Sequence, residues 1–175
     1  WVNRGGNGTI ETVLKTGEKI TQAFTANQLH GITTVTFADN KTIEKEQTYD
    51  KGLLKEETIF YLNALPKTRV EFLGGLGKKI TSWYEESSPK SIEVFQDSFL
   101  EEGQYFSLDN QIESEVFNGQ GIRIQRNTLG LLIAQDLIEE GHLSQKTTFY
   151  SNGDPQSIIA YHKGLIHGKK QNFLI

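Results

Sequence analysis

The sequence predicts an all-β fold, an elongated and twisted antiparallel sheet built of consecutive β-hairpins. Segments such as 32–37 and 66–72 alternate polar with apolar side chains and are rich in Thr, Ile, Val and aromatics, which is typical of half-buried strands. Turn signals containing Gly or Asn separate these segments and recur about every 23 residues. Because a single hairpin cannot bury its apolar face, such repeats must stack on their neighbours.

A first series of turns follows the aromatic or branched residue that closes a strand. Its members are Phe24, Tyr49, Phe72, Phe95, Val116, Ile138 and Tyr161, at steps of 25, 23, 23, 21, 22 and 23 residues. A residue with a Cβ atom is disfavoured by about 1 to 2 kcal/mol where φ is positive, which favours Gly or Asn at tight turns. We therefore predict structural turn glycines at Gly31, Gly52, Gly75, Gly119, Gly141, Gly153, Gly164 and Gly168.

A second series of turns lies midway between the members of the first. It comprises Phe37-Ala38-Asp39-Asn40, Tyr61-Leu62-Asn63-Ala64, Tyr84-Glu85-Glu86-Ser87, Phe106-Ser107-Leu108-Asp109 and Tyr150-Ser151-Asn152-Gly153. A missing sixth member is expected near Arg126-Asn127. Each period then holds two turns and two strands of five to seven residues.

The domain organisation follows from these turns. Residues 1–16 are predicted to be an N-terminal lead-in or a degenerate repeat, and residues 17–175 a single repeat domain of about seven hairpin units. Residues 129–140 lack clean alternation, so they suit either a short helix or a strand buried on both faces, of which we favour the strand.

One strand face is predicted to form the core. Counting back by twos from the first-series aromatics joins Phe24 with Ile20, Tyr49 with Ile43, Phe72 with Val70 and Tyr161 with Ile159. A one-residue slip would turn all of these side chains to water, so the aromatics are expected to set the strand register.

A sequence motif near the end of the chain consists of Tyr150-Ser151-Asn152-Gly153 followed by Tyr161 to Gly168. It resembles the MORN-type repeat, most closely the variant in bacterial proteins of the YwqK family of antitoxins. The resemblance extends over about residues 15–175, and residues 49–53 and 24–31 also match well. Ala64, Ser87 and Ser98 depart from the expected Gly or Asn. The resemblance implies a sheet of consecutive hairpins and a role in holding partners, with no catalytic residue to carry over.

Composition excludes several classes of protein. Eighteen Lys and Arg against 22 Asp and Glu leave a formal charge of -4, so no cationic surplus is available for a nucleic acid backbone. There is no cysteine, and the longest apolar run, Leu129 to Ala134, is far shorter than the roughly 20 residues of a membrane span. The first residues resemble neither a signal peptide nor an anchor, so we expect a trimmed chain, and both cytoplasmic and exported locations suit it.

The polar side chains do not predict a metal, cofactor or catalytic site. His162 and His167 suggest a metal site. However, His30-Gly31, His167-Gly168 and Glu102-Gly103 occupy the same position in different repeats. A position that recurs in this way favours a role in the turn over metal binding. Residues 74–79 lack the first Gly of a phosphate loop. The many glutamates fall mostly beside turns among lysines, which is typical of a solvated surface.

Adjacent aromatics give the strongest functional hypothesis. If Tyr84 faces inward, its neighbour Trp83 faces outward, and the same parity places Phe60, Tyr105 and Phe149 in that outward row. The row suits either a second covered face or a partner-binding surface. We predict a non-enzymatic protein-interaction or scaffold module. The alternatives are binding to lipid or a cell-envelope polymer, antitoxin-like neutralisation of a partner and, least favoured, a carboxylate-based hydrolase.

Overall fold

The computed structural model describes residues 3–168 and 170–174, and every regular element within them is a β-strand. No helix of the described residues is long and apolar enough to cross a membrane. Contacts divide the chain into two compact units, here called the N-terminal unit (Trp1–Gly74 with Glu85–Ser87) and the C-terminal unit (Gly75–Tyr84 with Ser88–Ile175). The same hairpin repeat builds both units, and the division falls inside the predicted domain 17–175.

The N-terminal unit is an open antiparallel sheet of seven strands. They are β1 (Gly8–Val13), β2 (Lys19–Thr25), β3 (Gln28–Leu29), β4 (Gly31–Thr36), β5 (Ile43–Asp50), β6 (Leu53–Phe60) and β7 (Pro66–Gly74). Each strand pairs with the next along the chain, except that β3 and β4 both pair with β2 rather than with each other. The predicted lead-in therefore contains a regular strand, β1, paired along its whole length with β2.

The C-terminal unit continues the pattern with ten strands. They are β8 (Gly77–Trp83), β9 (Pro89–Gln96), β10 (Phe99–Phe106), β11 (Ile112–Phe117), β12 (Gln120–Arg126), β13 (Leu132–Glu139), β14 (His142–Phe149), β15 (Pro155–His162), β16 (Leu165–Ile166) and β17 (Gln171–Asn172). Strands β8 to β15 pair antiparallel in chain order, and both β16 and β17 pair with β15. The predicted all-β fold of consecutive antiparallel hairpins is confirmed.

Strand β13 decides the ambiguous segment 129–140. The prediction of a strand is confirmed, but burial on both faces was wrong. Ala134, Asp136 and Ile138 are buried, whereas Ile133 and Leu137 on the other face of the strand are 43% and 38% exposed. One face of β13 therefore lies in the core and carries an aspartate, while two large apolar side chains face outward.

First-series turns are two-residue hairpin turns in which both central residues have positive φ, as type I′ turns require. They are Ala26-Asn27, Lys51-Gly52, Gly74-Gly75, Asn118-Gly119, Glu140-Gly141 and Lys163-Gly164. Such turns match the right-handed twist of the strands they join, which accounts for their recurrence. At the Asp97-Ser98 turn, only Asp97 has a positive φ, 58°, so the departure from Gly at Ser98 changes the turn type.

Second-series turns are longer loops that end in a residue with positive φ. Those residues are Gly17, Asn40, Ala64, Ser87, Asn110, Gly130 and Gly153. In the loop 150–154 the Gly153 amide donates to the Tyr150 carbonyl at 3.0 Å and the Tyr150 amide donates to the Asp154 carbonyl at 2.9 Å. This is a type I turn closed by a bulge. Gly130 supplies the expected sixth member, and Ala64 and Ser87 adopt the conformation despite their side chains.

All eight predicted turn glycines have positive φ, between 56° at Gly75 and 90° at Gly153. The equivalence of His30-Gly31 with His167-Gly168 is also confirmed, because the two histidine amides donate to Ala23 and Ala160 carbonyls and the glycine φ angles are 88° and 87°. Gly103 was wrongly assigned to this slot. It lies within β10, where a Cβ atom would overlap the ring of Tyr105, so Gly103 leaves room for that ring.

The core lies in the C-terminal unit and centres on Leu100, Tyr105, Val116 and Ile138, with Phe95, Ile124 and Leu143 packed against it. Of the residues that close the first-series strands, Val116 and Ile138 belong to this core. The N-terminal first-series aromatics are less covered than predicted. Phe24 and Tyr49 are half-buried and Phe72 is 41% exposed. A β-sheet face becomes a closed core only where another part of the chain covers it.

Strands β11 and β12 are paired only beside the turn that joins them. The two strands pair only at Val116 with Gly121 and at Phe117 with Gln120. Gly121 has a φ of 145°, and a Cβ atom there would overlap the carbonyl oxygen of Glu115. Beyond this point, Arg123 of β12 reaches the carboxylate of Glu93 on β9, at 2.7 Å.

Candidate functional site

A concave surface on the C-terminal unit, here called the outer groove, crosses strands β9, β10 and β11. Its volume is about 330 Å³, and its lining side chains are those of Ile92, Val94, Glu102, Gln104, Glu115 and Phe117. Strand alternation produces this face, because Ile92 and Val94 point away from the buried Glu93 between them. The groove therefore combines apolar side chains with two carboxylates.

The strand register arranges the groove in two rows. Ile92 pairs with Gln104, and Gln104 pairs with Glu115, whose Oε1 accepts a hydrogen bond from the Gln104 amide at 2.9 Å. In the second row, Val94 pairs with Glu102. Phe117 closes that row and is 68% exposed, although its neighbour Val116 is 2% exposed. The hydrogen bond holds one acid in place, while the phenylalanine ring stays open to solvent.

A cluster of polar side chains, here called the inner network, lies on the buried side of the strands, opposite the outer groove. Its members are Glu93, Tyr105, Arg123, Gln125, Asp136 and Lys146. Glu93 and Asp136 are 5% and 2% exposed. The Arg123 guanidinium donates from Nε to Glu93 Oε1 at 2.7 Å, and its Nη1 lies 3.9 Å from Asp136 Oδ2. Lys146 Nζ lies 3.3 Å from Asp136 Oδ1, and the Gln125 amide donates to Oδ2 at 2.5 Å. Each buried carboxylate therefore has a cationic partner, Arg123 for Glu93 and Lys146 for Asp136.

Tyr105 completes the inner network by donating its hydroxyl to Glu93 Oε1 at 2.9 Å. Burial, and then the charge of Glu93, raise the pKa of Tyr105 far above its usual value. Burial lowers the pKa of Arg123, but Glu93, Tyr105 and Asp136 together outweigh that effect and raise it. Tyr105 therefore stays neutral and Arg123 stays charged near neutral pH, as befits a structural network rather than a proton-transfer site.

The raised pKa of Tyr105 predicts alkaline unfolding. Below about pH 10 the phenol is protonated in both the folded and the unfolded chain, and its contribution to stability is complete. Above that pH the unfolded chain loses the proton first, so the free energy of unfolding falls as the pH rises. Burial also raises the pKa of Tyr84, which is 0% exposed. We therefore expect a tyrosinate signal that appears only with unfolding, by near-ultraviolet absorbance, and that is smaller by one tyrosine in Tyr105→Phe. Titration of all six tyrosines near pH 10 with the fold intact would contradict this.

The four aromatics predicted as a binding row have different environments. Trp83, Phe60 and Phe149 are half-buried, and each stands opposite a proline at the start of the next strand. The pairs are Trp83 with Pro89, Phe60 with Pro66 and Phe149 with Pro155, which account for all three prolines of the chain. Proline suits the first position of a strand because it cannot donate to the ladder.

Tyr105 was wrongly placed in that row, since it is 2% exposed and lies in the core. The loop that follows β10 begins at Ser107, whose carbonyl accepts the Asn110 amide at 3.0 Å, and not at Phe106 as the aromatic pattern suggested. A one-residue error in the loop reverses the face of every residue in the strand before it. Phe106, half-buried at the end of β10, is therefore the residue equivalent to Trp83.

Sequence reasoning missed both the outer groove and the inner network. One signal was present at Val116-Phe117, because two adjacent large apolar residues before an Asn-Gly turn must point to opposite faces. A second was Asp136 within the apolar segment 131–138. Nothing in the sequence pairs Glu93 with Arg123, which are 30 positions apart.

Across residues 3–168 and 170–174, no group of three His, Asp or Glu side chains is arranged to hold a metal ion. The rings of His162 and His167 are 5.8 Å apart and tilted, and His30 Nδ1 lies 3.4 Å from Asp50. The histidines therefore lie in the repeat turns and near the hairpin ends without forming a cluster.

The fold and the groove define a class of protein, an antiparallel hairpin-repeat protein with an exposed acidic and apolar groove. No protein-family model matches the chain, and no curated protein matches it. Among solved structures it is similar to TarM, at 11% identity over 74% of this chain and 21% of that one, with a TM-score of 0.33. A mutant of S. aureus TarM in complex with fondaparinux, α-GlcNAc-glycerol and UDP gives 10% identity, 67% and 20% coverage, and a TM-score of 0.33.

This chain spans about a fifth of the length of those solved chains. The names of these two structures do not mention a MORN-type repeat, and the resemblance to that family stays a prediction.

Proposed function

We propose that this protein is a non-enzymatic interaction module that binds a protein partner through the outer groove. The observation that carries the proposal is the 68% exposure of Phe117 beside Ile92 and Val94 on a paired strand face. Large aromatic side chains dominate the energetics of protein interfaces when a partner covers them. Covering a phenylalanine contributes about 1.5 to 3 kcal/mol to binding.

The strand framework supports the proposal because it holds the groove in place before binding. β10 pairs with β9 on one side and with β11 on the other, so the backbone beneath the groove is hydrogen-bonded on both edges. A partner then loses little free energy in ordering this surface. An extended segment of another protein is the simplest object that fits a shallow groove crossing three strands.

Charge favours a protein partner over a nucleic acid or an anionic lipid surface. The groove carries Glu102 and Glu115, and the whole chain has a formal charge of -4. Nucleic acids and anionic lipid surfaces attract clustered Lys and Arg, and would be repelled by these carboxylates.

The test is a selection of displayed random peptides on the whole chain, with each enriched peptide then assayed on variants. Phe117→Asp should weaken binding of the enriched peptides at least tenfold, because it replaces the exposed ring with a charge. Leu129→Asp is the matched control, since Leu129 is 76% exposed on a loop of the same unit outside the groove. Equal binding to wild type and Leu129→Asp is expected.

Two results would contradict the proposal. One is that enriched peptides bind Phe117→Asp as well as wild type. The other is that the chain sediments with anionic lipid vesicles in a Phe117-dependent manner while no peptide is enriched. A Trp83→Ala, Phe149→Ala double variant tests the predicted aromatic row separately, and unchanged peptide binding there would clear those two residues of a binding role.

A further inference from the structure

Glu102 occupies an unusual position within the outer groove. It pairs with Val94 of β9 on one side. On the other side, Gln104 pairs with Glu115 and Gly103 with Val116, so the next step of the antiparallel ladder brings Glu102 beside Phe117. A carboxylate therefore lies between two apolar side chains.

Among the residues that the structure describes, no Lys, Arg or His forms an ion pair with Glu102. The other groove acid, Glu115, is held by the Gln104 amide. A partner that covered Val94 and Phe117 with apolar groups alone would bury the Glu102 charge, which is unfavourable unless the charge is paired. The occupant must therefore supply a cation at this point.

Arginine satisfies this requirement better than lysine. Its planar guanidinium pairs with a carboxylate through two parallel hydrogen bonds and also stacks on an aromatic face. It is less strongly hydrated than an ammonium group, so it enters a half-apolar site more readily. Its aliphatic stem packs against a side chain such as that of Val94.

We propose that the outer groove accepts an arginine side chain from an extended segment of its protein partner. The guanidinium pairs with Glu102 and stacks on Phe117, while apolar residues flanking the arginine cover Val94 and Ile92. This inference rests on the proposed function and names the chemistry of the segment that is bound.

The probes are three synthetic peptides, acetyl-Gly-Ser-Leu-X-Val-Ser-Gly-amide, in which X is arginine, lysine or citrulline. Citrulline keeps the shape of arginine and removes its charge. Dissociation constants from NMR titration of the whole chain should rise in the order arginine, lysine, citrulline, with about a tenfold span. Glu102→Gln should abolish the difference between arginine and citrulline. Glu139→Gln, which removes an exposed acid outside the groove, should preserve it.

Equal binding of the arginine and citrulline peptides would overturn the inference, as would lysine binding as tightly as arginine, or Glu102→Gln weakening both peptides alike. If none of the three peptides binds while Phe117-dependent peptides emerge from the displayed library, the arginine inference fails and the proposed function stands. If no Phe117-dependent peptide of any kind emerges, the proposed function itself fails.

Discussion

Arg123→Met is expected to lower the free energy of unfolding by about 3 kcal/mol or more. The Arg123 guanidinium lies between two acids that are almost fully buried, Glu93 and Asp136. Methionine has a comparable apolar stem but no charge, so Glu93 would keep only its hydrogen bond from Tyr105. An uncompensated buried charge is strongly destabilising, even where the intact network adds little net stability. Urea denaturation measures the change.

Lys78→Met is the matched control for Arg123→Met. Lys78 belongs to the same unit and is half-buried, and its Nζ lies 5.3 Å from the centre of the Phe95 ring. Such a cation–π contact contributes about 0.5 to 2 kcal/mol. Adding Glu93→Gln to Arg123→Met should restore part of the stability, because the unpaired charge is then absent. A loss no larger for Arg123→Met than for Lys78→Met would show that the inner network is solvated.

Gly121→Ala is expected to destabilise the protein by about 3 kcal/mol or more, through two separate effects. The φ of 145° lies in a region that side chains with a Cβ atom rarely adopt, and the added carbon would overlap the Glu115 carbonyl oxygen and approach Val116 Cα. Both obstructing atoms belong to the backbone of β11, so they cannot rotate away. For a chain of this size the melting temperature should fall by about 6 to 12 °C.

Gly164→Ala separates those two effects. Gly164 also has a positive φ, 77°, but no atom lies within 4 Å of the position of an added Cβ. Only the conformational penalty remains, about 1 kcal/mol, or roughly 2 to 4 °C in melting temperature. Equal shifts for the two variants would mean that β11 and β12 separate freely at Gly121.

The two turn series illustrate what local sequence predicts well. Positive φ depends on residues next to one another in the chain, so Asn118-Gly119 and Gly153 could be recognised without any knowledge of the tertiary fold. Gly121 was not recognised, because the backbone that excludes a side chain there comes from β11. Gly103 was placed in a turn for the same reason, since only its contact with the Tyr105 ring explains it.

The candidate site was less accessible to sequence reasoning than the fold. Alternation indicates that Glu93 and Val94 face opposite ways, but it does not indicate which face is covered. The aromatic row was derived on the assumption that Tyr84 faces inward and that the other adjacent aromatics share its parity. Tyr105 then fell on the wrong face because the loop after β10 begins one residue later than the aromatic pattern suggests.

The sequence by itself determined the β-strand class, the repeat of about 23 residues and the turn glycines, because these depend on alternation and on backbone conformation within a few residues. The tertiary structure alone decided that Asp136 and Tyr105 are buried and that Phe117 is exposed. Those outcomes depend on which strands cover a given face, and that covering is produced by contacts such as Arg123 with Glu93, between strands that are distant along the chain.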